Sequence, residues 1–96
     1  MEIFVEVVFM DDKKFDSQVQ DLTLALLYLT RFREQDLPYW RSWKGHDFDA
    51  LNALSDQKMI GDSRHRSKSV VLTEDGIRKA KEILSEFRMV DPWGDE

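Results

Sequence analysis

Three side chains near the middle of the chain form its closest grouping of metal-binding residue types. His46, Asp47 and Asp49 lie within one short stretch, and imidazole and carboxylate groups are common ligands of zinc. Their spacing does not match the i, i+4 pattern that places two ligands on one helical face. Helix capping explains the aspartates without a metal. We therefore expect neither a metal site nor a bound cofactor.

Residue types that serve as catalytic nucleophiles are also sparse. The chain contains no cysteine, which excludes a catalytic thiolate and a disulfide framework. His65 stands among Ser63, Ser67 and Ser69, but a loop supplies neither a rigid base nor an oxyanion hole. The four glycines form no phosphate-cradling motif. These patterns favour a binding protein over an enzyme.

Positive charge is concentrated in one part of an otherwise acidic chain. The net charge is −5, yet residues 58–81 carry seven Lys or Arg against three Asp or Glu. Cations alternate along residues 64–68, and an extended chain would place them on one face. A basic hairpin tip of this kind contacts phosphates, whereas the simpler interpretation is a solvated tip. The candidate nucleic-acid-binding residues are Arg64, Arg66, Lys68 and Lys58.

Aromatic and cationic residues are interleaved over residues 39–44. Such a segment can stack on unpaired bases or insert into a protein partner. The alternative, which the small size of the domain favours, is that the tryptophans cover the open end of the core. Arg41 and Lys44 would then point to water. The cluster, assigned to the core or to an interface, is Tyr39, Trp40 and Trp43.

Apolar periodicity predicts a first helix over residues 17–33, with Asp16 or Ser17 as its N-cap. This helix is apolar nearly all round, which suits the centre of a core or a dimer interface. Ahead of it, residues 3–9 have the β-branched and aromatic composition of a strand, although residues 1–14 also fit a loosely attached extension. The main apolar stripe of the helix is Val19, Leu22, Leu26 and Leu29.

Two further helices and a hairpin complete the predicted domain. Asp47 caps a helix that ends near Lys58, and Thr73 caps the last helix, after which residues 89–96 form a tail. Residues 59–63 and 69–72 flank a polar tip and predict a β-hairpin. Residues 39–45 have room for one helical turn or a short strand. The predicted buried stripes are Phe48, Leu51 and Leu54, and then Ile77, Ala80, Ile83, Leu84 and Phe87.

This order of elements predicts an α+β, mainly helical fold: a small winged-helix-like domain of three helices and a β-hairpin wing, with residues 1–96 forming one unit. The longest apolar run, residues 24–29, is far too short to span a bilayer. The opening residues have no basic n-region and make a poor signal peptide. We therefore expect a cytoplasmic protein without membrane contact.

Two resemblances accompany this prediction. Residues 69–76, Ser-Val-Val-Leu-Thr-Glu-Asp-Gly, resemble the wing and following helix of bacterial winged-helix regulators of the MarR and PadR type. Together with residues 24–30 and 43–49, they also resemble a family of short bacterial proteins of uncharacterised function, which implies no activity. Relatives in that family usually carry glycine at the stop of the second helix, where Lys58 stands. Either the second helix continues by a turn, or Gly61 takes over its stop.

The leading expectation is nucleic-acid association, as a transcriptional regulator or accessory factor that binds DNA. The alternative is a protein–protein interaction module on a winged-helix scaffold without a groove-reading helix. Asp47 and Asp49 at the start of the second helix favour the alternative, and the basic tip favours the first. The excess of apolar residues on the first helix also predicts a homodimer.

Overall fold

The computed structural model describes residues 12–33 and 36–92. Their elements are α1 (Asp12–Leu29), β1 (Trp40–Trp43), α2 (Phe48–Asp56), β2 (Ser69–Leu72) and α3 (Glu74–Glu86). They form a small α+β, winged-helix-like domain, which confirms the predicted fold class. The strand predicted at residues 3–9 and the last part of the predicted tail, residues 93–96, lie outside the described residues.

The first helix begins and ends earlier than its apolar pattern predicts. Its bounds are Asp12–Leu29, so the choice of Asp16 or Ser17 as the cap is wrong. At its C-terminus the hydroxyl and backbone N–H of Thr30 both donate to the carbonyl of Leu26, at 2.7 and 3.0 Å. A hydroxyl that bonds back to the preceding turn competes with continued helix and helps to end it.

Beyond α1 the chain becomes extended and joins the sheet. The backbones of Phe32 and Arg41 exchange two hydrogen bonds of 2.8 Å, an isolated antiparallel bridge. This pairing requires extended geometry at Phe32, which the sequence assigns to the helix. The remaining turn into β1 includes Asp36 at φ 76°, a left-handed conformation that aspartate tolerates.

The sheet pairs β1 with β2 in antiparallel register, from Trp40↔Leu72 to Trp43↔Ser69. The short-strand alternative for residues 39–45 is therefore confirmed. The prediction that residues 59–63 form the regular partner of β2 is wrong, because only an isolated bridge from Ile60 to Leu72 forms there. The carboxylate of Asp62 accepts from the Arg64 N–H at 2.9 Å, and this turn bends the chain away from the sheet.

The second helix has the predicted cap and an unexpected stop. Asp47 accepts from the Ala50 N–H at 3.0 Å, which confirms the cap. At the other end Lys58 itself is left-handed, with φ 67°, so both predicted alternatives for the stop are wrong. A side chain in this conformation costs about 1–2 kcal/mol. The Met59 N–H donates to the carbonyl of Leu54 at 3.0 Å and completes the turn.

Thr73 joins this turn to the start of α3. Its hydroxyl accepts from the Gly76 N–H at 2.9 Å, which confirms the predicted cap. The same oxygen lies 2.7 Å from the carbonyl oxygen of Lys58 and 2.9 Å from that of Met59. A Cβ built on Gly76 would lie 1.9 Å from the Met59 carbonyl oxygen. Thr73 and Gly76 of the Thr-Glu-Asp-Gly sequence are thus explained by the cap and by the close approach of the Met59 backbone.

The core lies between the three helices and the inner face of the sheet. Tyr28 is fully buried, and its hydroxyl donates to the Asp91 carboxylate at 2.9 Å. This hydrogen bond ties the segment after α3 back to α1. The other large core side chains are Leu24, Leu27, Leu51, Leu54, Ile60, Val70, Leu72, Ile83 and Leu84.

Four residues that the sequence assigns to buried stripes are exposed. Phe48 is 72% exposed because it is the first residue of α2, ahead of the turns that reach the core. Phe87 is 57% exposed at the C-cap of α3, where Arg88 turns left-handed. Leu22 and Leu26 lie on the side of α1 that faces away from the core, each about half exposed.

Candidate binding surfaces

Two surfaces of the described domain have unusual composition. One is the wing loop, residues 61–68, together with the outer face of the adjoining sheet. The other is the outer stripe of α1, which we define as Phe15, Val19, Leu22 and Leu26. The first surface contains three of the four predicted cationic residues. The second contains three of the four residues of the apolar stripe that the sequence assigns to a core or a dimer interface.

Two cations hold the wing loop in place: Arg41 in β1, and Lys44, the residue that follows β1. The Arg41 guanidinium donates to the Ser69 hydroxyl at 2.7 Å, to the Ser69 carbonyl at 3.1 Å and to the Ser67 hydroxyl at 3.2 Å. Lys44 donates through its Nζ to the His65 carbonyl at 2.5 Å. All of these acceptors are uncharged, so neither cation is neutralised by the loop that it positions.

The cations of the loop itself do not share one strand face. Residues 63–68 form turns and bends, so the extended geometry behind the predicted alternation is absent. Arg64 forms an ion pair with Asp56 at 3.3 Å, with both side chains more than half exposed. Elsewhere in residues 12–33 and 36–92, no hydrogen bond or ion pair engages the side chain of Arg66 or Lys68. These two remain the accessible cations of the tip.

Lys58, the fourth predicted nucleic-acid-binding residue, has a structural role. Its backbone makes the left-handed stop of α2, and its carbonyl accepts from the Thr73 hydroxyl. Its side chain is exposed. The position is therefore explained by the turn whether or not the ammonium group meets a ligand.

The predicted aromatic cluster divides between the two faces of the sheet. Trp40 packs against the core, and the Arg31 guanidinium lies 4.2 Å from its ring centroid. Trp43 points to the opposite face, where it is 59% exposed and stacks on Phe32 with centroids 4.7 Å apart. The preference for both tryptophans as core covers is thus wrong for Trp43. Tyr39 is partly exposed at the entrance to β1.

A shallow groove adjoins Trp43 on the outer sheet face. Arg41 lies two residues before Trp43 on the same strand, and Ser69 is the cross-strand partner of Trp43. All three residues therefore lie on the same face of the sheet. Arg41 and Ser69 line a groove of about 420 Å³ beneath the wing loop. Its remaining lining residues are Gly61, Asp62, His65, Ser67, Val70 and Val71.

The helix in the position of a groove-reading helix, α2, is poorly suited to read bases. Asn52 accepts from the Ser63 hydroxyl at 2.8 Å, and Gln57 donates to Gln20 at 2.7 Å. Its N-terminus presents Asp47 and Asp49. The amides that could reach base edges are therefore engaged within the protein, and the end that would face DNA is acidic.

Asp47, which the sequence groups with His46 and Asp49, uses its carboxylate to cap α2. No group of three or more histidine or carboxylate side chains suited to a metal occurs in the described part of the chain. In the same part, no helix is long and apolar enough to cross a membrane.

The outer stripe of α1 bears on the two alternatives that the sequence leaves open for the first helix, the centre of a core or a dimer interface. Phe15, Leu22 and Leu26 are 55%, 50% and 49% exposed, and Val19 is partly buried. Successive positions are separated by four, three and four residues, the spacing of a and d positions in a coiled coil. The core instead receives Leu24 and the residues around it. The heptad spacing was visible in the sequence, but it does not distinguish a core face from an interface.

Comparison with known proteins gives a family match and a relative. A family model described as "Domain of unknown function (DUF6429)" matches residues 15–90. The chain is 35% identical over 69 residues to "Uncharacterized protein y4hR" of Sinorhizobium fredii (strain NBRC 101917 / NGR234), covering 72% of this chain and 86% of that protein. No solved structure matches the chain. The matched family range includes both candidate surfaces.

Proposed function

The chain belongs to the DUF6429 family, and we propose that it is a self-associating protein-interaction module that acts by binding and not by catalysis. The observation that carries this proposal is the outer stripe of α1. Three of its four apolar side chains are about half exposed, and the spacing of the four has the periodicity that pairs helices. A second copy of the same stripe is the partner we infer.

The surroundings of the outer stripe permit a second helix to approach. Thr23 and Ala25, which border the middle of the stripe on either side, are buried in the domain and so do not obstruct the exposed side chains. Phe15 to Leu26 extends over about 17 Å of helix at 1.5 Å per residue. A single helix pair of this length buries less than the area of a standard stable interface. We therefore expect a reversible homodimer with a dissociation constant in the micromolar range.

Leu22→Arg tests this proposal by light scattering over a concentration series. Burying the exposed half of one leucine contributes roughly 0.8–1.5 kcal/mol, and a two-fold dimer contains two copies. Removing both contributions raises the dissociation constant at least about 15-fold. The matched control is Ser17→Arg, an exposed position on another side of α1. If both variants associate like the wild type, the outer stripe is not the interface.

A second candidate function is nucleic-acid association through the wing loop, as a DNA-binding regulator or accessory factor. Arg66 and Lys68 favour it, because their side chains make no ion pair within residues 12–33 and 36–92. The engaged amides and acidic start of α2 oppose base reading. Any contact of the loop with duplex DNA would then be with phosphates and largely independent of sequence.

A salt titration of binding to mixed-sequence duplex DNA tests the second candidate. Replacing Arg64, Arg66 and Lys68 by alanine should weaken binding equally on all sequences. The slope of log affinity against log salt should flatten by about 0.9 for each phosphate that the variant no longer neutralises. An unchanged slope in the triple variant rejects the loop as the binding surface, and absence of wild-type binding at low salt rejects the function.

A further inference from the structure

We propose that Trp43 and Phe32 form an aromatic platform on which an unpaired base of single-stranded nucleic acid stacks. This inference extends the second candidate function and is independent of self-association. Phe32 covers one face of the indole, yet Trp43 remains 59% exposed. The surface left open is therefore the opposite face and the edges of the ring. Every base presents a π-face to such a ring, so stacking is tolerant of sequence.

The position of the ring in the sheet shows that this exposure is not required by the fold. The residue before Trp43 in β1, Ser42, points inward and is fully buried. Trp43 therefore points to the face opposite the core, as the alternation of a strand requires. A polar side chain at the same position would leave the core intact. Singly exposed apolar residues are common on soluble proteins, whereas contiguous apolar surface marks interaction sites, and Trp43 with Phe32 forms such a contiguous pair.

Three cationic residues are neighbours of Trp43 in the sheet or directly after it. Arg41 lies on the same strand face, Lys44 follows Trp43, and the Lys44 N–H donates to the Lys68 carbonyl at 3.0 Å. No ion pair of the described residues involves any of the three. Neither β1 nor β2 contains a carboxylate. The local charge is therefore complementary to a phosphodiester backbone, and cations beside an aromatic ring are the combination that binds single strands.

The groove beside the ring gives the backbone a path. It is bordered by the Arg41 guanidinium and by the Ser67 and Ser69 hydroxyls, all groups that can donate to phosphate oxygens. Asp62 adds one carboxylate to the same groove, where it accepts from the Arg64 backbone N–H and keeps its charge. The three cations outnumber it. One nucleotide could then stack its base on Trp43 and place its phosphate over this groove, because the residues that would bind the two groups are neighbours on one face of the sheet.

The test measures binding of a fluorescently labelled oligothymidylate of about 12 nucleotides by polarisation, and quenching of tryptophan emission in parallel. At low salt the wild type should bind and its emission should fall. Trp43→Ala should weaken binding about 5- to 150-fold, the equivalent of roughly 1–3 kcal/mol per stacked base. Trp43→Phe should restore most of the affinity while removing most of the quenching.

The matched control is Phe48→Ala, which removes a more exposed aromatic ring flanked by Asp47 and Asp49; its affinity should equal that of the wild type. The same measurement with an oligouridylate shows whether the protein binds RNA as well as DNA. Weaker binding of either single strand by the Trp43→Ala variant supports the platform. The proposal is overturned if neither single strand binds at low salt, or if Trp43→Ala binds as tightly as Phe48→Ala. A third result separates the two proposals. If single strands do not bind but duplex DNA still binds the Trp43→Ala variant, the platform is overturned and the second candidate function stands.

Discussion

Gly76→Ala tests how the start of α3 is fitted against the turn after α2. The added Cβ would lie 1.9 Å from the Met59 carbonyl oxygen and 2.9 Å from its carbonyl carbon. Because both atoms belong to the backbone, no side-chain rotation relieves the overlap. The N-terminus of α3 would have to retreat by about 1 Å or more to reach an ordinary packing distance.

Such a movement disrupts three hydrogen bonds. The Met59 carbonyl accepts from the Thr73 N–H at 3.2 Å, the Lys58 carbonyl accepts from the Thr73 hydroxyl at 2.7 Å, and the Gly76 N–H donates to that hydroxyl at 2.9 Å. Each contributes about 0.5–1.5 kcal/mol, and the better helix propensity of alanine offsets at most about 1 kcal/mol. We expect the free energy of unfolding to fall by about 2–3 kcal/mol.

Urea denaturation followed by circular dichroism measures this decrease. The control is Gly45→Ala, where a built Cβ meets no atom within 4 Å and stability should stay within about 0.5 kcal/mol of the wild type. If Gly76→Ala is as stable as Gly45→Ala, the close approach of α3 to Met59 is incorrect.

Three further substitutions test the local geometry by the same denaturation assay. Lys58→Gly should stabilise the protein by about 0.5–1 kcal/mol, because glycine adopts the left-handed conformation without strain. The control Lys58→Ala removes the same charge and should give no gain in stability. Equal gains from both variants would contradict the left-handed conformation of residue 58. Trp43→Ala should cost about 1–2 kcal/mol, since it removes a stacked pair on the surface, and a cost above about 3 kcal/mol would mean that the ring is buried. Arg64→Ala should change stability by less than about 0.5 kcal/mol because its pair with Asp56 is exposed; a larger change would show that this pair organises the wing loop.

The parts of the fold that the sequence predicts well are those determined by local chemistry. Asp47 and Thr73 precede helices as capping residues, and both cap them in the structure. The apolar face of α3 around Ile83 is also found as predicted, because its spacing fits one helical face and no other. These assignments depend on a few neighbouring residues and need no knowledge of the remaining fold.

The parts that the sequence predicts poorly depend on distant contacts. α1 has apolar residues on several sides, and the choice between Leu22 and Leu24 as the core residue is made by the elements packed against it. Likewise β1 pairs with β2 across the whole of α2, whereas the nearer segment at Ile60 makes one bridge. Residue types cannot reveal such a choice between competing partners.

The candidate sites follow the same division. Residue type alone identifies the cations Arg66 and Lys68, and they are exposed as a loop position implies. The separation of Trp40 from Trp43 depends on strand alternation, which becomes predictable only once residues 40–43 are known to be a strand. The ion pair between Arg64 and Asp56 joins the wing loop to α2. Nothing in the sequence around either residue predicts this pairing.

Sedimentation equilibrium of the wild-type protein tests the central claim most directly. The chain has a mass of 11.4 kDa, and a homodimer formed through the outer stripe of α1 should approach twice that mass as the concentration rises to several hundred micromolar. The transition should be reversible on dilution, as the small interface requires. A mass of one chain throughout that range would contradict the self-association that we infer.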